Sequence, residues 1–66
     1  MYINVNGKKE LLTQDIPILD FIISKKLNPD KLIIELNMQI LSKKDWSMVI
    51  LKEEDNLEIL SVVSGG

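Results

Sequence analysis

Residues 17–29, PILDFIISKKLNP, decide the fold of this 66-residue sequence, because they predict its one substantial helix. Proline is well tolerated in the first turn of a helix and poorly tolerated in its interior, so the helix is expected to begin with this stretch. Apolar residues then recur at helical spacing, and Phe21, Ile22 and Leu27 are expected to pack in the core. Asn28-Pro29 is expected to end the helix, since a residue before proline is pushed out of the helical region.

Extended segments lie on both sides of the helix. Asn6-Gly7 joins the first two of them, and both residue types tolerate the positive φ that a tight hairpin turn needs. The compact apolar run of residues 32–36 predicts a largely buried strand, and Ser42 with Asp45 indicates a capped helical turn. The predicted elements outside the helix are strands at 2–6, 8–13, 32–36, 39–41 and 57–63, a turn at 37–38, a helical turn at 42–46, an extended segment at 49–51 and a charged turn at 53–56.

The order of these elements is strand, strand, helix, strand, short strand, strand. The helix is a natural crossover between parallel strands, and it can cover one face of a sheet. The sequence therefore predicts an α+β fold in which one main helix and one short helical turn accompany a four- or five-stranded mixed sheet. A chain of this length forms one domain at most, so residues 1–66 are expected to be a single domain with a flexible C-terminal tail at residues 64–66.

Composition limits the chemistry that this chain can carry out alone. It contains no cysteine and no histidine, so it lacks a thiolate nucleophile, the usual general base and the commonest metal ligand. An enzyme is therefore the least expected class. Eight lysines against ten carboxylates give a net charge of −2, which argues against nucleic acid as the main partner. No apolar run approaches the roughly 20 residues of a membrane span, and the N-terminus lacks the features of a signal peptide, so a cytoplasmic protein is expected.

Several short motifs follow one another along the chain. They are Ile3-Asn4-Val5-Asn6-Gly7, Glu35-Leu36-Asn37, Trp46, Asp55-Asn56-Leu57-Glu58-Ile59 and Gly65-Gly66. This ordered set resembles the thiamine-biosynthesis sulfur carrier family (ThiS). No one motif is specific, but together they span essentially the whole chain. The resemblance implies a ubiquitin-like β-grasp fold, which agrees with the order of elements given above.

Two positions depart from the family pattern. Met38 stands where the family often has a glycine after the Glu-Leu-Asn motif, and Glu54 stands where it usually has a glycine before the aspartate of a turn. If the second glycine serves a positive φ, either Glu54 adopts this conformation at an energetic cost or Asn56 takes over the role. Both departures fall in turns, and the C-terminal residues keep the family pattern.

The resemblance implies that the chemistry takes place at the carboxylate of Gly66. A partner resembling ubiquitin-activating enzymes would use ATP to adenylate this carboxylate, and the chain itself would bind no cofactor. Sulfur drawn from cysteine through a desulfurase would then displace AMP and leave a thiocarboxylate, a 1-thioglycine, for donation to thiazole synthase. An α-carboxyl is an anion at neutral pH and a poor electrophile until it is activated. Gly65 and Ser64 would thread the tail into partner active sites, because glycine has no Cβ atom to obstruct a narrow channel.

Two further groups of residues are candidates for partner docking. If the last strand turns its first apolar residues towards the helix, Leu60 and Val62 face outward and form an apolar stripe next to the tail. An acidic group near this strand is either a solvated turn and strand face or a surface that steers a basic partner. The sequence leaves both interpretations open, and these acids lack the defined ligand set of a metal site. The acidic candidates are Glu53, Glu54, Asp55 and Glu58.

Two other functions remain open from the sequence. The small subunit of molybdopterin synthase shares the fold and the tail, although its chains are usually longer and Glu35-Leu36-Asn37 favours the thiamine carrier. A non-reactive β-grasp interaction module, with incidental terminal glycines, would keep its binding after loss of both glycines. Trp46 is expected to have a structural role, because an indole near a short helical turn usually packs against a small core.

Overall fold

A computed structural model of the protein describes residues 1–62. Their secondary structure follows the predicted order of strands and helix, and the short connections form two 3-10 turns. The prediction of one main helix against a mixed sheet is therefore confirmed, with five strands. In chain order the elements are β1 (Tyr2–Val5), β2 (Lys8–Leu11), α1 (Ile18–Ser24), a 3-10 turn (Pro29–Lys31), β3 (Leu32–Leu36), β4 (Gln39–Leu41), a 3-10 turn (Lys43–Asp45) and β5 (Asn56–Ser61).

The five strands of the described chain form one sheet in the order β2-β1-β5-β3-β4. β5 lies at the centre, parallel to β1 and antiparallel to β3, while β2 and β4 are antiparallel edge strands. β2 and β3 consequently run in the same direction, with β1 and β5 between them. The connection from β2 to β3 therefore has to cross the sheet, and α1, which lies within it, covers one sheet face.

The hydrophobic core lies between α1 and the covered face of the sheet. Each of the three inner strands contributes one fully buried residue, in keeping with the alternation of side chains along a strand. Trp46 is 1% exposed, and its Nε1 donates a hydrogen bond of 3.1 Å to the carbonyl of Leu41. The predicted structural role of this indole is confirmed. The core residues are Ile3, Ile18, Phe21, Ile22, Ile34, Trp46, Leu51 and Leu57.

The helix ends earlier than the sequence indicated, and Leu27 is not a core residue. Lys26 adopts a left-handed conformation (φ 61°), so its N–H reaches the carbonyl of Ile23 while the N–H of Leu27 reaches that of Ile22. This is a Schellman arrangement, which closes a helix without needing proline. Leu27 is consequently 38% exposed. Asn28 has another role, since its Oδ1 accepts a hydrogen bond of 3.0 Å from Asp30 N and so begins the following 3-10 turn.

Two other local predictions need correction. β3 is buried on one face only, because the face of the sheet opposite α1 is open, and Ile33 is 41% exposed there. The 3-10 turn after β4 forms without a hydrogen bond from the side chain of Ser42, so no capping box is present at this turn. In the predicted extended segment at 49–51, Ile50 makes an isolated antiparallel bridge to Pro17.

The tight turns of the sheet require left-handed backbone conformations. Asn6 and Gly7 join β1 to β2 with φ values of 51° and 82°, and Asn37 and Met38 join β3 to β4 with 52° and 73°. Two central residues with positive φ define the type I′ turn, whose twist matches that of the strands it joins. Glu54 also has a positive φ, of 66°, whereas Asn56 belongs to β5. Glu54 therefore adopts the strained conformation itself, and the alternative that Asn56 takes over this role is wrong.

Replacement of Met38 by glycine is expected to stabilise the fold by about 0.5–1 kcal/mol. A left-handed conformation costs a residue with a Cβ atom roughly 1–2 kcal/mol, and part of this gain is offset by the greater backbone entropy of glycine in the unfolded chain. The side chain of Met38 is 90% exposed, so little packing is lost. Urea unfolding followed by circular dichroism measures the change. Gln39→Gly in the adjoining strand is the matched control and should destabilise; a Met38→Gly variant no more stable than the parent would contradict the argument.

Candidate functional site

The predicted reactive residues Ser64, Gly65 and Gly66 lie outside the described residues 1–62. The part of the candidate site that can be described is the end of β5, from which the chain continues towards them. β5 is the central strand of the sheet. The N–H of Val62 donates a hydrogen bond of 2.8 Å to the carbonyl of Lys31, so pairing along β5 continues to the last described residue.

The backbone of β5 alternates its hydrogen bonds between its two neighbours. On the β3 side, Asn37 N–H donates to Asn56 O at 2.8 Å, and Val62 donates on this same side. On the β1 side, Asn4 N–H donates to Asp55 O at 2.8 Å and Asn6 N–H donates to Leu57 O at 2.9 Å. The strand that precedes the tail is therefore bonded on both sides over its first half.

Two asparagine side chains hold β5 where the hairpins turn away from it. Asn6 lies just beyond β1; its Oδ1 accepts a hydrogen bond of 2.7 Å from Ile59 N, and its Nδ2 donates one of 3.3 Å to Ile59 O. Asn37 lies just beyond β3, and its Oδ1 accepts a hydrogen bond of 2.9 Å from Asn56 N. Each amide takes the place of the next backbone unit of a neighbouring strand. The sequence indicated both asparagines as turn residues only, because the bonds to β5 join residues far apart in the chain.

The outward direction predicted for Leu60 and Val62 agrees with the structure. Their side chains are 45% and 41% exposed on the sheet face opposite α1. The register of the sheet adds two further residues to this surface, because Ile33 lies directly opposite Leu60 and Ile40 lies on the same face beyond β3. We call Ile33, Ile40, Leu60 and Val62 the open-face patch; Ile33 and Ile40 were not identified from the sequence. A role in docking stays a prediction for all four residues.

The four acidic candidates do not form one surface. Asp55 is buried, with 9% of its surface exposed, and its Oδ2 accepts a hydrogen bond of 2.8 Å from Lys52 N while its Oδ1 accepts one of 3.1 Å from Asn37 Nδ2. Its place in a solvated acidic group is wrong, because the fold uses both carboxylate oxygens to fix the turn before β5. Glu53 is exposed, but its carboxylate accepts hydrogen bonds of 3.1 and 3.2 Å from Tyr2 N.

Distance along β5 also separates these acids from the tail. β5 has six residues, so it extends for roughly 20 Å at about 3.3 Å per residue. Glu53 and Glu54 precede its first residue and therefore lie at the end of the strand away from the tail. Glu58 is the one acidic candidate on the open face, where it lies directly opposite Glu35. Like charges in this arrangement are destabilising, and neither carboxylate forms an ion pair with a described residue.

Other kinds of site find no support in the part of the chain that the structure describes. Residues 1–62 contain no group of three or more acidic side chains that could hold a metal ion. Across this same range, no helix is long and apolar enough to cross a membrane.

A mixed five-stranded sheet crossed by one helix, with a central last strand that leads into the C-terminal residues, defines a β-grasp protein of the ubiquitin-like class. Comparison with known families identifies this chain further: the ThiS family profile matches residues 2–66, and the protein belongs to that family. The resemblance drawn from the motifs is thereby confirmed. Family membership supports a carrier role for sulfur in thiamine biosynthesis.

The chain is also similar to individual known proteins, and two solved structures share its fold. The chain is 31% identical over 62 residues to the uncharacterized protein ycf40 of Trieres chinensis, with 94% of this chain and 85% of that protein covered. Its fold matches the crystal structure of the thiamine biosynthesis protein ThiS from Geobacter metallireducens, with a TM-score of 0.87, 23% identity and complete coverage of both chains. A solution structure of a thiamine biosynthesis protein from the same organism gives a TM-score of 0.82 at 23% identity, covering 100% of this chain and 88% of the other.

Proposed function

We propose that this protein carries sulfur as a thiocarboxylate at Gly66 and donates it to thiazole synthase during formation of the thiamine thiazole. A partner adenylyltransferase resembling ubiquitin-activating enzymes would form the glycyl adenylate from ATP. A cysteine desulfurase would supply the sulfur. The observation that carries the proposal is the match of the family profile through residue 66, together with the firm attachment of the preceding strand at the centre of the sheet.

The proposed reaction has three steps, which begin at the carboxylate of Gly66. A carboxylate oxygen of Gly66 first attacks the α-phosphorus of ATP, and pyrophosphate leaves. The terminal sulfur of a persulfide formed by the desulfurase then attacks the activated carbonyl; a C–S bond forms, the C–O bond to the phosphate breaks, and AMP leaves with its oxygen. A thiol reductant next attacks the S–S bond of the resulting acyl disulfide, so that the thiocarboxylate leaves and the thiol forms a disulfide with the donor cysteine. The chain contributes the acceptor and the partner contributes the catalytic groups, which suits a sequence without cysteine or histidine.

The body of the protein has a separate role in this proposal, which is to be recognised. The open-face patch is an exposed apolar surface that begins beside the tail, and such surfaces commonly mark protein interaction sites. Glu58 and Glu35 add two carboxylates to the same face, and neither forms an ion pair within residues 1–62, so a partner with basic groups there would relieve their repulsion. Docking through this face would bring the chain end to the partner's active site.

The proposal predicts a mass gain of about 16 Da on the intact protein, because one oxygen is replaced by sulfur. The experiment incubates the purified protein with the adenylyltransferase of the same organism, ATP, a cysteine desulfurase with cysteine and a thiol reductant, and measures intact mass. Omission of ATP is the control and should leave the mass unchanged. If partners that modify another ThiS protein in parallel leave this chain unchanged, the proposal is wrong.

A further inference from the structure

β5 has an uncovered edge at Ser61, next to the tail. Backbone groups of this strand point alternately to β3 and to β1, and Val62 points to the β3 side, where it bonds Lys31. The backbone N–H and carbonyl of Ser61 must therefore point to the β1 side. β1 ends at Val5. The side chain of Asn6 hydrogen-bonds the backbone N–H and carbonyl of Ile59, but it makes no such bond to Ser61. Among the described residues, none bonds the N–H or the carbonyl of Ser61.

A groove adjoins this uncovered edge on the side of the sheet covered by α1. It has a volume of about 340 Å³, and its lining includes Ser61. Val5, Leu32 and Ile59 supply apolar surface, and Leu27, which the early end of the helix leaves half-exposed, lies beside them. An open backbone edge and an apolar groove thus occur at the same place.

Lys25 and Glu10, which form an ion pair, also line this groove and add polar groups to its apolar surface. Such a combination of apolar lining with a few polar groups is typical of binding sites. An extended peptide segment matches both features, since its backbone offers a donor and an acceptor at strand spacing while alternate side chains enter a neighbouring pocket.

We propose that the activating adenylyltransferase adds an extended segment to β5 at Ser61 and places an aliphatic side chain in the adjoining groove. This inference rests on the proposed function and names the contact by which the partner recognises the base of the tail. Four residues, 63–66, follow Val62 and can span at most about 14 Å. An enzyme that encloses the Gly66 carboxylate must therefore come close to Ser61. Its segment would pair with Ser61 through one donated and one accepted hydrogen bond.

Ser61→Pro tests the backbone contact, and Ser61→Ala is the matched control that keeps the N–H. Proline is tolerated where a strand N–H points away from its neighbours, so the fold is expected to survive the substitution. Calorimetric titration against the adenylyltransferase should show a Kd about tenfold higher for Ser61→Pro and nearly unchanged for Ser61→Ala, the change expected when one net hydrogen bond is lost. Equal affinities for the two variants would overturn the backbone contact.

Leu27→Trp tests the groove, and Ile23→Trp is its control because Ile23 is 55% exposed on α1 outside the groove lining. Filling the groove should weaken binding at least tenfold, while the control should bind like the parent. Hydrogen exchange of the Ser61 amide gives a readout that needs no substitution, and binding should slow it at least tenfold. A protein that gains the 16 Da but shows unchanged Ser61 exchange overturns this inference alone; a protein that gains no mass overturns the proposed function and this inference together.

Discussion

Removal of Gly66 is expected to abolish sulfur loading while leaving the fold intact. The carboxylate of the shortened chain would belong to Gly65 and would lie about 3.5 Å short of the position that the partner's active site recognises. A displacement of 1 Å can cost about 100-fold in rate, so loss of a whole residue should reduce adenylation below detection. The measurement is ATP–pyrophosphate exchange together with intact mass. Thermal unfolding should be unchanged, because the described core residues all lie between Ile3 and Leu57.

The Gly66→Ala variant separates chain length from the absence of a side chain. It keeps the carboxylate at the right position but adds a Cβ atom, which a narrow channel would obstruct. We expect partial activity from this variant and none from the deletion. A deletion variant that accepts sulfur as fast as the parent would contradict the assignment of the chemistry to Gly66, because the shortened tail would then present an equivalent acceptor.

The order of elements could be predicted from the sequence because each signal for it is local. Asn6-Gly7 supplies the positive φ values of a hairpin turn within two residues. The apolar residues of the helix recur at helical spacing within a stretch of seven residues. The bounds of β3 and β4 were also predicted correctly, since Asn37-Met38 marks the turn between them. Local chemistry thus determines where most elements of this chain lie.

Features that depend on distant residues could not be predicted in the same way. Asp55 looked like a member of an acidic turn, and its burial follows from bonds to Asn37 and Lys52 that exist only when β3 and β5 are side by side. The end of α1 depends on Lys26 adopting a left-handed conformation, for which lysine gives no signal. Pro29 was expected to end the helix, but the helix already ends at Ser24.

Predictions about the candidate site show the same contrast between local signals and contacts of distant residues. The chemistry proposed for Gly66 was implied by the family resemblance of an ordered set of motifs, and the outward direction of Leu60 and Val62 followed from the period of a strand. The partners of these residues across the sheet, Ile33 and Ile40, depend on strand register, which the sequence alone did not give. The uncovered edge at Ser61 depends on where β1 stops relative to β5. Recognition surfaces on a small sheet are therefore set by pairing more than by any one segment.

Trp46→Ala is expected to be the most damaging single substitution in the body of the protein. The indole is 1% exposed, and truncation of a buried tryptophan typically costs about 3–5 kcal/mol. A domain of 66 residues has a total free energy of unfolding of roughly 3–10 kcal/mol. The loss is thus comparable with the whole stability, and the variant should be largely unfolded at 37 °C. Circular dichroism and one-dimensional proton spectra at 10 and 37 °C measure the outcome.

Trp46→Phe distinguishes packing from hydrogen bonding at this position. Phenylalanine keeps most of the aromatic contact but removes the Nε1 donor, so the carbonyl of Leu41 loses its bond from the indole. Since a lost hydrogen bond to a partly buried group costs about 1–3 kcal/mol, this variant should remain folded with a lower urea midpoint. The backbone bond from Leu19 N to Trp46 O, 2.9 Å long, is available in both variants. If Trp46→Ala lost less than about 1 kcal/mol, the indole would not be the central packing element of this core.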